Sequence, residues 1–209
     1  MKVLANDGVS KSGIDSLEKA GFEVITTTVA QEQLIEYINN HQIDVILVRS
    51  ATKVRKDIID SCPSIKIIGR GGVGMDNIDV DYARSKDIKV INTPAASSAS
   101  VAELVFAHLF GGVRFLYDSN RNMPLDGDSK FKELKKNYGG GRELRGKTLG
   151  IVGLGRIGQE VAKIGIGCGM KVIASDKFME TTTISVAFYD KQKLDFKIQT
   201  IPFEQLLKE

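Results

Sequence analysis

The chain has no tryptophan, two cysteines, two histidines and four prolines among its 209 residues. Each shortage excludes a class of protein. Cys62 and Cys168 lie far apart with no C-x-x-C spacing, so neither a disulfide-built scaffold nor a thiolate metal site is expected; both read as free thiols of a reducing, cytoplasmic setting. No grouping of Cys, His and carboxylate residues has metal-ligand spacing. No stretch reaches the roughly 18 apolar residues of a membrane span, and Met1-Lys2-Val3 opens no secretory signal. The net charge is only +3 and no Lys/Arg block stands out, which argues against a nucleic-acid partner. No segment is low in complexity and no short repeat occurs. What remains, 42% hydrophobic and 26% charged, is the composition of a soluble globular chain that can bury a sizeable core.

Up to about residue 95 the pattern alternates short β-branched runs with amphipathic stretches. Strands are expected at Lys2–Ala5, Glu23–Thr26, Val45–Val48, Lys66–Gly69 and Lys89–Ile91. Helices are expected at Lys11–Ala20, Gln31–Asn39, Lys56–Asp60 and Val80–Ser85, with Asp7 or Ser10 capping the first. Such alternation with short connections implies a parallel sheet, and five strands make a complete flavodoxin-like layer. At Asn92-Thr93-Pro94 and the small residues after it, the pattern breaks. Ser100 and Glu103 form an S-x-x-E capping box before the apolar run Leu104–Phe106, which predicts a long helix to about Asn120. A charged stretch, Pro124 to Gly146, comes next. Two domains result, 1–97 and 98–209.

The second domain contains Gly153-Leu-Gly155-Arg156-Ile157-Gly158, a G-x-G-x-x-G between an apolar strand (Thr148–Val152) and an amphipathic helix bearing Ile157, Val161 and Ile164. A further strand, Lys171–Ala174, leads to Asp176, 18 residues past Gly158. Each part has a mechanical reason. Gly153 permits the tight turn, Gly155 lets a pyrophosphate approach the backbone, and Gly158 lets helix and strand pack closely. The helix N-terminus offers free N–H groups and the positive end of its dipole to phosphates. An acid at this offset accepts the ribose hydroxyls of an adenosine. The segment is therefore a partial Rossmann unit for a dinucleotide, and Asp176 favours NAD over NADP, although Lys177 beside it softens the repulsion of a 2′-phosphate. A tight turn that binds nothing would explain the glycines but not Asp176. Beyond it, Ile184–Tyr189 and Leu194–Thr200 alternate like a two-stranded ribbon, and Phe203–Lys208 begins a helix. Only the adenosine-side half of a dinucleotide domain is present, so the chain is expected to be a piece of a longer protein or the product of a truncated gene.

A second glycine cluster, Gly69 to Asp79, also lies after a strand and before a helix. Its successive N–H groups could form a nest for a carboxylate or phosphate, or the segment could be a glycine turn with Asp76 or Asn77 as a helix cap. Arg49 ends the neighbouring strand. Ligands of open α/β sheets bind at strand C-terminal ends, which would gather Arg49, Arg70 and the Val73-Gly74 backbone around one anion; the alternative for Arg49 is a surface ion pair.

Together, RSAT at 49–52, GRGGVGMDNID at 69–79, INTP at 91–94 with SVAE at 100–103, and ELRGKTLGIVGLGRIG at 143–158 resemble the D-isomer-specific 2-hydroxyacid dehydrogenases over essentially the whole chain. The resemblance implies a substrate domain, a NAD domain and NAD-dependent oxidation of a 2-hydroxy acid. It implies that Val73 approaches the nicotinamide, that Arg156 and Ile157 cover the pyrophosphate, and that Asp176 holds the adenine ribose. Arg49, Ser50, Val73, Gly74 and Ser97 would contact the substrate, with Arg70 and Arg114 facing a phosphate on it, so a small phosphorylated 2-hydroxy acid is the expected partner. Ser97 stands where the family often has asparagine, and Lys177 where proline is common. The family's catalytic arginine, glutamate and histidine have no counterpart among these residues. His41, in a polar turn, is expected to be exposed and His108, inside the long helix, to be packed; neither is assigned to catalysis. The resemblance further implies a homodimer built on the NAD domain. Two rival readings are a non-catalytic NAD-sensing binding module and a dehydrogenase of another 2-hydroxy acid such as glycerate, lactate or formate.

Overall fold

The computed structural model describes residues 1–209, which divide into two compact units, Met1–Ser97 and Ser98–Glu209. In the first unit, strands β1 (Lys2–Ala5), β2 (Glu23–Ile25), β3 (Val45–Val48), β4 (Ile67–Arg70) and β5 (Lys89–Asn92) alternate with helices α1 (Lys11–Lys19), α2 (Leu34–His41), α3 (Lys56–Ser61) and α4 (Val80–Ser85). All four strand pairings are parallel, and the order is β2-β1-β3-β4-β5. This is the flavodoxin-like order, as the alternation predicts. Runs such as Val45-Ile46-Leu47-Val48 are apolar throughout because helices cover both faces of a parallel sheet. Leu4, Ile38, Ile46, Ile58 and Ile68 are fully buried at the centre of one core cluster.

Strand register decides where the loops of this unit meet. Val48 pairs with Arg70, and Arg70 with Asn92, so β3, β4 and β5 end side by side. The chain leaves β1 for β2 on one side and returns to β3 on the other, which opens a crevice at the C-terminal ends of β1 and β3.

The second unit opens with helices α5 (Ser98–Val113) and α6 (Leu116–Tyr138), bent 55° apart. Next come β6 (Thr148–Val152), α7 (Arg156–Gly167), β7 (Lys171–Ser175), the antiparallel ribbon β8 (Thr181–Ala187) and β9 (Lys193–Gln199), and a short α8 (Phe203–Leu206). β6 and β7 pair in parallel with α7 as the crossover, the partial Rossmann unit expected. Its core joins Phe106 and Ala102 of α5 to Val161 and Ala162 of α7, Ile151, Ala174 and the ribbon residues Ile184 and Ile198.

Several local expectations are corrected. Of the two cap candidates for α1 the structure selects Ser10, its hydroxyl accepting the Gly13 N–H at 3.3 Å. A 3₁₀ turn over Gln31–Gln33 precedes α2, which starts only at Leu34. α5 starts at Ser98, which places Ser100 and Glu103 inside the helix, where no capping box can form. The helix stops at Val113 because Phe115 takes a left-handed conformation, φ 55°. The charged stretch after Pro124 is helical to Tyr138, with a break in helical geometry at Lys130. His41 is exposed and stacks on Tyr37, as its turn position suggests, whereas His108 is exposed rather than packed because it lies on the outer side of α5. No single helix is long and apolar enough to cross a membrane.

The two thiols differ in surroundings. Cys62 is fully buried at the end of α3, and burial pushes its thiol up to about 11; Cys168 is half-buried after α7. A thiolate is the reactive form. A disulfide reagent at pH 8 is therefore expected to titrate Cys168 in the native chain and Cys62 only after denaturant is added, a stoichiometry of one becoming two. Rapid reaction of both thiols without denaturant would contradict the burial of α3.

Candidate functional site

In the first unit a cleft of about 430 Å³ opens at the strand ends. It is lined by Gly8, Val9 and Ser10 after β1, Leu47 to Arg49 at the end of β3, Gly69 to Gly71 at the end of β4, and Ile91 to Thr93 at the end of β5. The position is the one the sheet order predicts for a ligand site. Arg49 and Ser50 are exposed on its rim, and Arg49 forms no ion pair.

Polar side chains hold the Arg49–Thr52 turn. The Asp7 carboxylate accepts the Arg49 N–H at 2.6 Å, the Thr52 N–H at 3.1 Å and the Thr52 hydroxyl at 2.5 Å. Asn6, buried beside it, donates to Thr52 Oγ1 and exchanges two hydrogen bonds with Val29. Asn77 reaches over from the glycine loop, its Nδ2 donating to the carbonyls of Arg49 (2.8 Å) and Thr52 (2.6 Å). Those two acceptors dictate how the amide lies, and its Oδ1 is left buried without a partner. Asp76 and Asn77 therefore do not cap α4, whose N-cap residue is Asp79 with no side-chain cap bond. Burial alone would raise the Asp7 pKa, but the bonds from the Thr52 hydroxyl and from the backbone of Arg49, Thr52 and Ala51 outweigh it and hold the carboxyl below its ordinary value.

The guanidinium of Arg70 turns into its own loop. Its side chain is only 14% exposed, its Nη1 donates to the Gly74 carbonyl, its Nε donates to the Arg49 carbonyl at 3.4 Å, and Asp76 lies 4.0 Å away. Val73 and Gly74 are exposed, Val73 by 43%. Ser97, half-buried, ends the first unit. Arg114 belongs to the second unit, at the end of α5, where it lines a separate hollow with Phe110, Arg142, Arg145 and Cys168.

In the second unit the Gly153–Gly158 turn has the geometry its three glycines imply. Gly153 has φ +94°, which disfavours any side chain. A Cβ on Gly155 would meet nothing within 4 Å, so the turn is open where a ligand would lie against it. A Cβ on Gly158 would sit 2.1 Å from the Gly153 carbonyl oxygen, so only glycine allows α7 to start this close to β6. Arg156 and Ile157, the first two residues of α7, are exposed.

Asp176 lies just past β7, its carboxylate stitched to the turn. Oδ2 accepts the Leu154 N–H at 2.7 Å, and Oδ1 accepts the N–H groups of Phe178 (2.8 Å) and Met179 (3.0 Å). The Phe178 bond, then the Leu154 bond, hold the carboxyl below its ordinary range, so it is an anion at neutral pH. Oδ2 keeps a free lone pair. Lys177 does not pair with it; its Nζ sits over the Phe178 ring, 5.5 Å from the centroid.

Residues 3–195 match the model of the family described as D-isomer specific 2-hydroxyacid dehydrogenase, catalytic domain. The chain belongs to that family. A hydroxypyruvate reductase of Thermotoga maritima is 41% identical over 194 residues, 92% of this chain and 61% of the relative. A D-3-phosphoglycerate dehydrogenase of Methanocaldococcus jannaschii is 41% identical over 179 residues, 86% of this chain and 33% of the relative. Among solved structures, a 3-phosphoglycerate dehydrogenase of Entamoeba histolytica with NAD+ bound superposes with a TM-score of 0.64 at 35% identity, over 86% of this chain and 55% of that one. The chain thus spans between one third and about three fifths of the length of these relatives.

Sequence reasoning missed Asn6, Asp7, Thr52, Asn77 and Asn92 as the residues that shape the cleft. The available signal was confined to Asn6 and Asp7, polar residues directly after β1, and to Asn92, the last residue of β5. Replacing Asp7 by Asn should lower stability by about 1–2 kcal/mol at pH 7, the scale of hydrogen bonds to a partly exposed charged group. Because the folded pKa is depressed, this contribution is present above the unfolded value, near 4, and is lost as pH falls through the folded one. The wild-type advantage in urea denaturation should therefore shrink steadily below pH 4; a constant gap down to pH 2 would show that the charge is not what stabilises the turn.

Proposed function

We propose that this chain supplies the substrate-binding unit and the adenosine-side cofactor unit of an NAD-dependent dehydrogenase that oxidises D-3-phosphoglycerate to 3-phosphohydroxypyruvate, the entry to serine synthesis. The observation that carries the cofactor half is the Asp176 carboxylate fixed at the rim of the open Gly153–Gly158 turn. NAD would lie with its pyrophosphate on Gly155 and the α7 N-terminus beside Arg156 and Ile157, and its adenine ribose on the free lone pair of Asp176 Oδ2. The residues fit this group, since the turn leaves room where a side chain would otherwise stand. An ionised Asp176, not neutralised by Lys177, favours NAD over a cofactor with a 2′-phosphate. When bound, the nicotinamide supplies the hydride chemistry.

The substrate half rests on the cleft of the first unit. Arg49 is the rim cation free to meet a carboxylate or phosphate in bidentate fashion, and Ser50, Val73 and Gly74 are exposed beside the same strand ends. Arg70 and Ser97 belong to this assignment, Arg70 after rotation out of its loop; Arg114 lines its own hollow in the second unit. No proton transfer is assigned to His41 or His108; that step, and the orientation of the substrate carboxylate, would come from residues outside these 209. Exposed Leu104, Val105 and Phe110 on α5 suit a homodimer contact. The 41% identity to a hydroxypyruvate reductase supports a second reading, an unphosphorylated three-carbon hydroxy acid as substrate.

Calorimetry with the 209-residue chain should show NAD binding, weaker NADP binding and no turnover of phosphoglycerate. Asp176→Ala should weaken NAD binding roughly tenfold or more and narrow the preference over NADP. Equal binding of both cofactors by wild type and variant would remove Asp176 from the site. Tighter binding of D-3-phosphoglycerate than of D-glycerate, lost in Arg49→Ala, supports the phosphorylated substrate; the reverse order supports the second reading.

A further inference from the structure

The Gly69–Asp79 loop carries an asymmetry that its glycines do not explain. Its carbonyls are occupied one after another. The Gly72 oxygen accepts the Thr93 N–H at 3.1 Å. The Val73 oxygen accepts Asn92 Nδ2 at 2.7 Å. Gly74 accepts from Arg70, Met75 accepts the Ile78 N–H at 3.0 Å, and Asp76 accepts Arg55 Nη2 at 2.7 Å. The N–H groups of Val73 to Asn77, by contrast, donate to no protein acceptor, and Val73 and Gly74 are exposed. A flexible glycine loop has no reason to sort its dipoles this way. Successive peptides held by their oxygens present their N–H groups outward, and that is what an anion requires.

We infer that Asn92 is the positioning residue of this loop: its side-chain amide, by holding the Val73 carbonyl, turns the Gly74 N–H of the same peptide unit toward the anionic ligand of the cleft. Three features single it out. It ends β5 in direct register with Arg70, where the loop begins, so its own backbone is fixed by the sheet. It holds the plane of the Gly74 N–H, since the Val73 carbonyl and that N–H belong to one peptide unit; the Val73 N–H lies in the preceding unit, whose Gly72 carbonyl the Thr93 N–H holds. Its donor cannot be replaced by solvent without freeing that plane. Arg70 and Arg55 brace the next turns of the loop, but each also meets a carboxylate, Asp76 or Asp79, and so answers to more than one partner.

The inference rests on the reading of the cleft as an anion site, and the experiment separates the two. Wild type, Asn92→Ala and the isosteric Asn92→Asp are compared by ¹⁵N relaxation without ligand, then by titration with D-3-phosphoglycerate followed at the Val73 and Gly74 amides, with thermal melting as the control for folding. In the wild type both amides should be as rigid as the sheet, with order parameters of about 0.85; in either variant the Gly74 amide should fall below about 0.6, while the Val73 amide, held through the Gly72 carbonyl, and the melting temperature change little. The dissociation constant for phosphoglycerate should rise about tenfold in both variants. A Gly74 amide that stays rigid in Asn92→Asp would overturn the inference, because the isostere keeps the shape and removes the donor. A Gly74 amide that is rigid in the wild type and loosened in the variants but blind to phosphoglycerate would keep the positioning role and overturn the anion reading. A variant that binds as tightly as wild type would show that the amide does not set the donors' direction.

Discussion

Parallel strands that end in register leave a row of backbone groups with no further strand to receive them. Everything functional in this chain depends on how that row is satisfied. At the ends of β1, β3, β4 and β5 the answer is short polar side chains: Asp7 takes two N–H groups of the Arg49–Thr52 turn, Asn77 takes two of its carbonyls, and Asn92 takes a carbonyl of the glycine loop. Each brace comes from a different strand end, so the turns cannot move independently. Burial of Asn6, Thr52 and Asn77 removes water as a competitor, which strengthens each bond and makes each loss costly.

The second unit repeats the solution that Asp7 gives at the end of β1. There the carboxylate of Asp176, at the end of β7, receives an N–H of the glycine turn after β6. A carboxylate can only accept, so it holds donors; a primary amide aimed at carbonyls holds acceptors. The choice of Asp in one place and Asn in the other depends on which backbone group faces the neighbouring strand. Gly158 adds a steric constraint, since its contact with the Gly153 carbonyl fixes where α7 begins relative to the strand.

The sheet was legible in the sequence because short β-branched runs alternate with amphipathic stretches along the first unit, with β3 apolar throughout. The dinucleotide turn was legible because three glycines and an acid stand at spacings set by backbone geometry. Helix boundaries were less so. Ser100 and Glu103 spell a capping box, yet Ser98 already lies in α5, and the charged run past Pro124 shows no periodic apolar stripe although it is helical. The braces could not be read at all. That Asn92 reaches Val73 depends on β4 and β5 pairing at Arg70 and Asn92, a register no local pattern specifies. Asp7 and Asn77 looked like helix caps because caps and strand-end braces use the same short polar residues.

α6 stands apart from this system of braces. It is 23 residues long, begins after a left-handed Phe115, contains Pro124 and a non-helical Lys130, and buries only Leu134. Almost none of its helical hydrogen bonds is protected by packing, and helices of this length draw most of their stability from a buried face. Opening it exposes little apolar surface and so costs little free energy. α6 is therefore expected to open locally while β6 and β7 stay paired, so that a nick in it leaves the glycine turn and Asp176 in place.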